Sequence, residues 1–239
     1  MIVLHKKRLI LIGSLLCLSL TTISLKSAFT KPKIVATVNL PVSNKVIVLD
    51  AGHRSPRWAE LKVATGTTEA ETNLKIALKV QNLLEQSGAT VILTRSDENA
   101  IYDLDSKTLR QKKISDIHNR VKIGNESSAD IFVSIHLNKI PQQQYSGWQT
   151  FYQEGNEKSI NLDKSIQSNL NDSIQKENKR VAMKINNIYI MKHVEIPATI
   201  VECGFLSNPE EEKSLLDNEY QDKLAWGIYN GIMDYFYGN

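Results

Sequence analysis

Short β-branched runs alternate with amphipathic stretches from about residue 45 to the C-terminus. VIVLD (46–50), TVILTR (90–95), IFVSIHL (131–137), GWQTFYQ (147–153), IYIMK (188–192) and ATIVECGF (198–205) read as strands. After the first, Leu74, Ala77, Leu78 and Leu84 recur at helical spacing, predicting a helix over about 69–86 that Gly88 ends. Further helices are expected over about 108–126, 156–176, 209–217 and 219–237. The alternation predicts an α/β fold, a single domain with a mostly parallel sheet of about six strands and helices on both faces.

The first residues follow a different pattern. Lys6, Lys7 and Arg8 precede an uncharged apolar run from Leu9 to Leu25. At about 17 residues it is near the lower limit for crossing a bilayer. The flanking positive charge places the N-terminus on the cytoplasmic side and the rest of the chain outside. Residues 1–30 are therefore expected to be a signal or anchor segment, with the anchor preferred because Lys26 spoils a small-residue cleavage site. Residues 31–44 carry two prolines and little periodicity and read as a linker. Residues 45–239 form the expected catalytic domain.

Composition narrows the picture slightly. Of 239 residues, 41% are hydrophobic and 23% charged, with a net charge of +3, ordinary for a globular protein. No dense basic face stands out, so a nucleic-acid partner is not expected. Cys17 lies in the apolar run, which leaves Cys203 without an intramolecular disulfide partner in the exported part. Its apolar surroundings predict a small buried side chain rather than a nucleophile.

Four side chains carry the candidate chemistry. His53 follows the first strand, His136 closes IFVSIH, Glu202 closes ATIVE, and Glu69 opens the first helix. Strand ends of an open α/β sheet lie together along one edge, where ligands bind. Two imidazoles and one carboxylate suit a catalytic zinc site, and a second carboxylate suits a general base. A metal-dependent hydrolase is the reading to test. The competing readings are structural. Glu69 and Glu71 would equally serve a helix N-terminus, His136 could be a buried structural histidine, and Glu202 could sit in a salt bridge. Gly52 is expected to give the turn its backbone freedom. Asp50 would cap that turn or orient His53, with the turn preferred. Asn73, one helical turn after Glu69, is placed to reach the same region. His118 and His193 read as surface residues, His193 near a rim.

VIVLDAGH, EAETNL before an amphipathic helix, VILTR, ADIFVSIHLN and ATIVECGFLSNPEE together resemble the zinc-dependent N-acetylmuramoyl-L-alanine amidases, the type-3 amidases of peptidoglycan. The resemblance spans about 45–237. It implies a twisted sheet of about six strands. It also implies one Zn2+ held by His53, Glu69 and His136, with Glu202 as the catalytic glutamate and Glu71 off the metal. The family usually continues Gly-His-Gly-Gly, whereas Arg54, Ser55, Pro56, Arg57 and Trp58 follow His53 here. The short build, with NLPVSNKVIVLD, SIHLNKIPQQQYSGWQTFY and IYIMKHVEIPATIVECGFLSNP, is similar to the germination-specific amidases of endospore formers. That likeness implies removal of the stem peptide from muramic acid in spore cortex, toward muramic-δ-lactam. It further implies a partner lipoprotein and a location between the forespore membranes. A vegetative cell-separation amidase, another zinc amide hydrolase, and a weakly active wall-binding scaffold are the alternatives.

Overall fold

β-branched residues on both faces of a strand favour burial in the middle of a parallel sheet, and the central strands follow that rule. The computed structural model describes residues 39–52 and 68–238, together with Leu15. The expected anchor over 1–30 otherwise lies outside the described residues, as do His53 and the loop Arg54–Trp58. Among the described residues, no helix is long and apolar enough to cross a membrane. The strands are β1 (Val46–Ala51), β2 (Thr90–Leu93), β3 (Ile131–Asn138), β4 (Gln149–Gln153), β5 (Met183–Ile185) and β6 (Ala198–Phe205). They form one sheet in the order β2-β1-β3-β6-β4-β5. β1 pairs in parallel with β2 and β3, and β3 with β6. β4 runs antiparallel to β6, and β5 is parallel to β4. The sheet is therefore mostly parallel and six-stranded, as expected.

The helices are α1 (Glu69–Gln86), α2 (Leu109–Glu126), α3 (Glu157–Ile174), α4 (Tyr189–His193), α5 (Pro209–Leu216) and α6 (Asn218–Tyr237). α1, α3 and α6 cover one face. Their buried Ile76, Val80, Ile166, Leu170, Leu224 and Ile228 share a core with Ile47, Leu49, Val133 and Val201. α2 and α4 cover the other face, where Val121, Ile190 and Met191 meet Val48, Phe132 and Ile200. Burying each such side chain fully is worth about 1.5–3 kcal/mol. α3 and α6 approach closely because Gly231 leaves space: a Cβ there would lie 2.4 Å from Ile166 Cα.

Residues 188–192 depart from expectation. The apolar run predicts a strand, but Tyr189–His193 is a single helical turn. Ile190, Met191 and Val194 are buried, a spacing that suits one side of a helix. The amide of Val194 donates to the Ile190 carbonyl at 2.9 Å. The strand position beside β4 is taken instead by Met183–Ile185, which the apolar pattern does not mark. A short apolar run does not by itself distinguish strand from helix.

Two local features set up the site. Thr68 caps α1, its side chain accepting from the Glu71 amide at 3.2 Å, so Glu69 begins the helix. Side chains alternate along a strand. Asp50, Ser134, His136 and Glu202 therefore share the face of Val48, Phe132 and Ile200, further along the same strands.

Candidate active site

Parallel pairing of β3 with β6 places His136 directly opposite Glu202. Neither residue is the last of its strand, since β3 runs on to Asn138 and β6 to Phe205. The register shifts between His136 and Asn138, an irregularity that marks the site edge. Glu69 reaches in from the start of α1, with its Oε1 3.7 Å from His136 Nδ1. The same oxygen accepts from the Leu137 amide at 3.3 Å and from Asn73 Nδ2 at 3.4 Å. Glu71 points away and pairs with Lys75 at 3.1 Å on the surface. Of the two acidic residues opening the helix, Glu69 alone faces His136, in line with helical geometry. His53 lies outside the described residues, so three of the four expected site residues come together here: Glu69, His136 and Glu202.

Gly52 supports His136 by leaving space for its ring; the turn that follows lies outside the described residues. A Cβ on Gly52 would stand 2.1 Å from His136 Nε2, so any side chain there collides with the imidazole. Gly52 is not among the glycines with positive φ. While the turn after Gly52 lies outside the described residues, the Asp50 carboxylate has partners on other segments. It is fully buried and accepts from Thr94 Oγ1 at 2.7 Å, Ser134 Oγ at 2.6 Å and Arg120 Nη1 at 2.5 Å. Arg120 Nε in turn donates to Asp116 Oδ2 at 2.7 Å. Burial pushes the Asp50 carboxyl up, but Arg120, His136 and the two hydroxyls hold it below the usual carboxylate range. A buried ion pair gains little net stability, because desolvation offsets much of its attraction.

The electrostatics are those of a carboxylate-rich recess. Burial pushes the Glu202 carboxyl up to about 7; His136 opposes this and Glu69 adds to it. Glu202 Oε2 is buried and has no hydrogen-bond partner among the described residues. Burial also opposes charge on His136, yet Glu69, Glu202 and Asp50 outweigh it and raise the imidazole above its ordinary value. A cleft of about 220 Å³ is lined by Gly52, His136 and Glu202 together with Lys113, Tyr189 and Ile200. A separate groove of about 540 Å³ lies between α1 and α6 and contains none of these residues.

The remaining candidates fall outside the recess. Tyr189 stacks on His193 with ring centroids 3.8 Å apart and on His118 at 4.8 Å. His118 is exposed, as expected, and His193 stands behind the cleft wall that Tyr189 forms. Cys203 is buried and free, and burial pushes its thiol well above the usual range, so it is no nucleophile. Sequence reasoning missed Arg95, Arg120 and Asp116. The one signal for Asp116 and Arg120 was their spacing, which puts the pair on one side of a helix.

The family model for N-acetylmuramoyl-L-alanine amidase matches residues 47–234, which takes in nearly the whole sheet and every residue of the recess. The chain belongs to the N-acetylmuramoyl-L-alanine amidases. Within this family it is 38% identical to the germination-specific N-acetylmuramoyl-L-alanine amidase of Bacillus subtilis, over 83% of this chain and 82% of that one. The structure of the CwlD amidase from Clostridioides difficile in complex with the GerS lipoprotein matches with a TM-score of 0.78. The two are 43% identical, over 82% of this chain and all of that one (100%). The amidase LytC of Bacillus subtilis is 29% identical over 85% of this chain, but only 38% of LytC is covered.

Among the described residues, no group of three or more His, Cys, Asp or Glu is placed to hold a metal ion. Two donor atoms of the amidase nevertheless stand close together, His136 Nδ1 and Glu69 Oε1. Bonds of about 2.0–2.1 Å to one tetrahedral zinc put donors about 3.4 Å apart, close to the 3.7 Å seen here. Glu202 is the neighbour of His136 across the sheet, and its Oε2 has no hydrogen-bond partner among the described residues. The residues present fit a zinc ion.

Proposed function

We propose that this amidase cleaves the amide between the lactyl group of N-acetylmuramic acid and L-alanine of the stem peptide in spore cortex, with one Zn2+ held by His53, Glu69 and His136. The observation that carries the reading is Glu202, a buried carboxyl beside His136 with one oxygen uncommitted. When bound, zinc supplies a Lewis acid that polarises the scissile carbonyl and acidifies water. Glu202 Oε2 takes the proton of the attacking water. A carboxyl whose charged form burial disfavours is suited to accept that proton and then give it to the departing amine of L-alanine. His136 and Glu69 stay fixed by Gly52 beneath the imidazole and by the Leu137 amide and Asn73 beside the carboxylate.

The cortex assignment follows the likeness to the germination-specific enzyme of Bacillus subtilis. A partner lipoprotein follows the likeness to CwlD, whose structure holds GerS. Export through the N-terminal segment, anchored or secreted, would deliver the enzyme to the space between the forespore membranes. Replacing Glu202 with Gln tests the mechanism. Turnover should fall by about 100- to 10,000-fold while one equivalent of zinc stays bound to the full-length chain. Retained turnover would show that another group is the base. Loss of zinc would place Glu202 among the ligands.

A further inference from the structure

Arg95 is 3% exposed and directs its guanidinium at backbone carbonyls. Nε donates to Ala51 O at 2.8 Å and Nη1 to Asp97 O at 2.9 Å. Nη2 divides its donors between Gly52 O at 3.3 Å and Ala70 O at 2.7 Å. One nitrogen therefore joins the exit of β1 to the first turn of α1. Asn73 repeats the join from inside the helix. Its Nδ2 donates to Gly52 O at 3.1 Å and to Glu69 Oε1 at 3.4 Å. The Gly52 backbone is the surface on which the His136 imidazole rests. Both residues thus fasten the helix that carries Glu69 to the glycine that seats His136.

We infer that Arg95 and Asn73 form a latch that positions Glu69 against His136, so that the metal donors are aligned before the ion arrives. The inference rests on the zinc reading proposed above. Without the latch, α1 would keep its Thr68 cap and its packing, but of the bonds from Asn73 and the Leu137 amide only the second would hold Glu69 in the recess. Each bond from a charged donor to a buried carbonyl is stronger than a neutral one. The planar fork also matters. Lysine keeps the charge but cannot bond several carbonyls in fixed directions. Groups that orient metal ligands typically change metal affinity by about 10- to 100-fold when removed.

The test is the zinc dissociation constant of the full-length protein, measured by competition with a chromophoric chelator, for the parent chain, Arg95→Lys and Asn73→Ala. Arg95→Lys should weaken zinc binding by at least about tenfold, with kcat restored by excess zinc. Asn73→Ala should weaken it by about threefold or more, less than Arg95→Lys because it removes fewer bonds. A variant that melts at lower temperature yet binds zinc as tightly as the parent would reduce Arg95 to a structural residue and overturn the latch. If Arg95→Lys does not fold, Asn73→Ala decides, because it removes a bond to the same Gly52 carbonyl and leaves the guanidinium in place. A parent chain that binds no zinc would refute the metal reading itself, an outcome distinct from unchanged affinity in the variants.

Discussion

Glu202 and Asp163 are both buried carboxyls raised to about 7, and their surroundings separate them. Glu202 has an oxygen without a partner and faces a cleft. Asp163 on α3 has both oxygens occupied, Oδ1 by the Thr199 hydroxyl and Oδ2 by that of Thr150 at 2.9 Å. It braces β4 and β6 from behind the sheet and has no role in the chemistry. Its raised value makes a stability prediction. Burial lifts the carboxyl from 3.8 to about 7, against the two hydroxyls. Between those values the folded chain keeps a proton that the unfolded chain has lost, so this residue's contribution falls as pH rises and levels off above about 7. The whole effect is about 4 kcal/mol. Asp163→Asn should remove it, so the variant gains stability relative to the parent from about pH 5 to about pH 8 in urea denaturation. Parallel stability curves would contradict this. At the same scale, Glu69 and His136 were legible as candidates because of where their strand and helix lay. Asp50 was legible as a residue but not in its role, because its partners Thr94, Arg120 and Ser134 come from three other segments. Arg95 followed an obvious strand, yet only the folded chain brings the carbonyls of Ala51, Gly52 and Ala70 to it.

Elements were easier to read than roles. The strands VIVLD, IFVSIH and ATIVE were legible because a parallel strand buried on both faces has no polar alternation to confuse it. The short helix Tyr189–His193 was not, because five residues carry too few periods to separate a strand from a helix. β5 was hidden for the opposite reason. Met183 and Lys184 are exposed on an edge, so it carries little apolar signal. Packing between helices gives a further prediction. On α6, a Cβ at Gly231 would meet Ile166 Cα at 2.4 Å, whereas one at Gly227 would meet Leu170 Cδ2 at 2.9 Å. Both positions also face backbone, which cannot rotate aside, but Leu170 Cα at 3.0 Å from a Gly227 Cβ is a much shallower overlap than Ile166 Cα at Gly231. Gly231→Ala should cost about 1–3 kcal/mol, more than the roughly 1 kcal/mol by which alanine favours a helix. Gly227→Ala should cost less. Chemical denaturation checks the order, and equal stabilities would mean that α3 and α6 separate easily.

At the scale of the molecule, the sheet serves to bring distant residues to one edge. β1 delivers Asp50 and leads into Gly52, β3 delivers His136, β6 delivers Glu202, and α1 adds Glu69 from the next layer. The α/β class was readable from alternation alone, and the amidase family from ordered motifs. The antiparallel insertion of β4 between β6 and β5 was not, since strand order depends on crossovers that no local pattern records. The residues from His53 to Trp58, where the chain departs from the usual glycine-rich continuation, lie outside the described residues. The fold and the recess nonetheless converge on one reaction. Mass spectrometry of the muropeptides released when the full-length protein acts on purified spore cortex tests it most directly. The account predicts free stem peptides with N-terminal L-alanine and glycan strands whose muramic acid has lost its peptide. Peptides cut at internal bonds, with L-alanine still attached to the lactyl group, would contradict it.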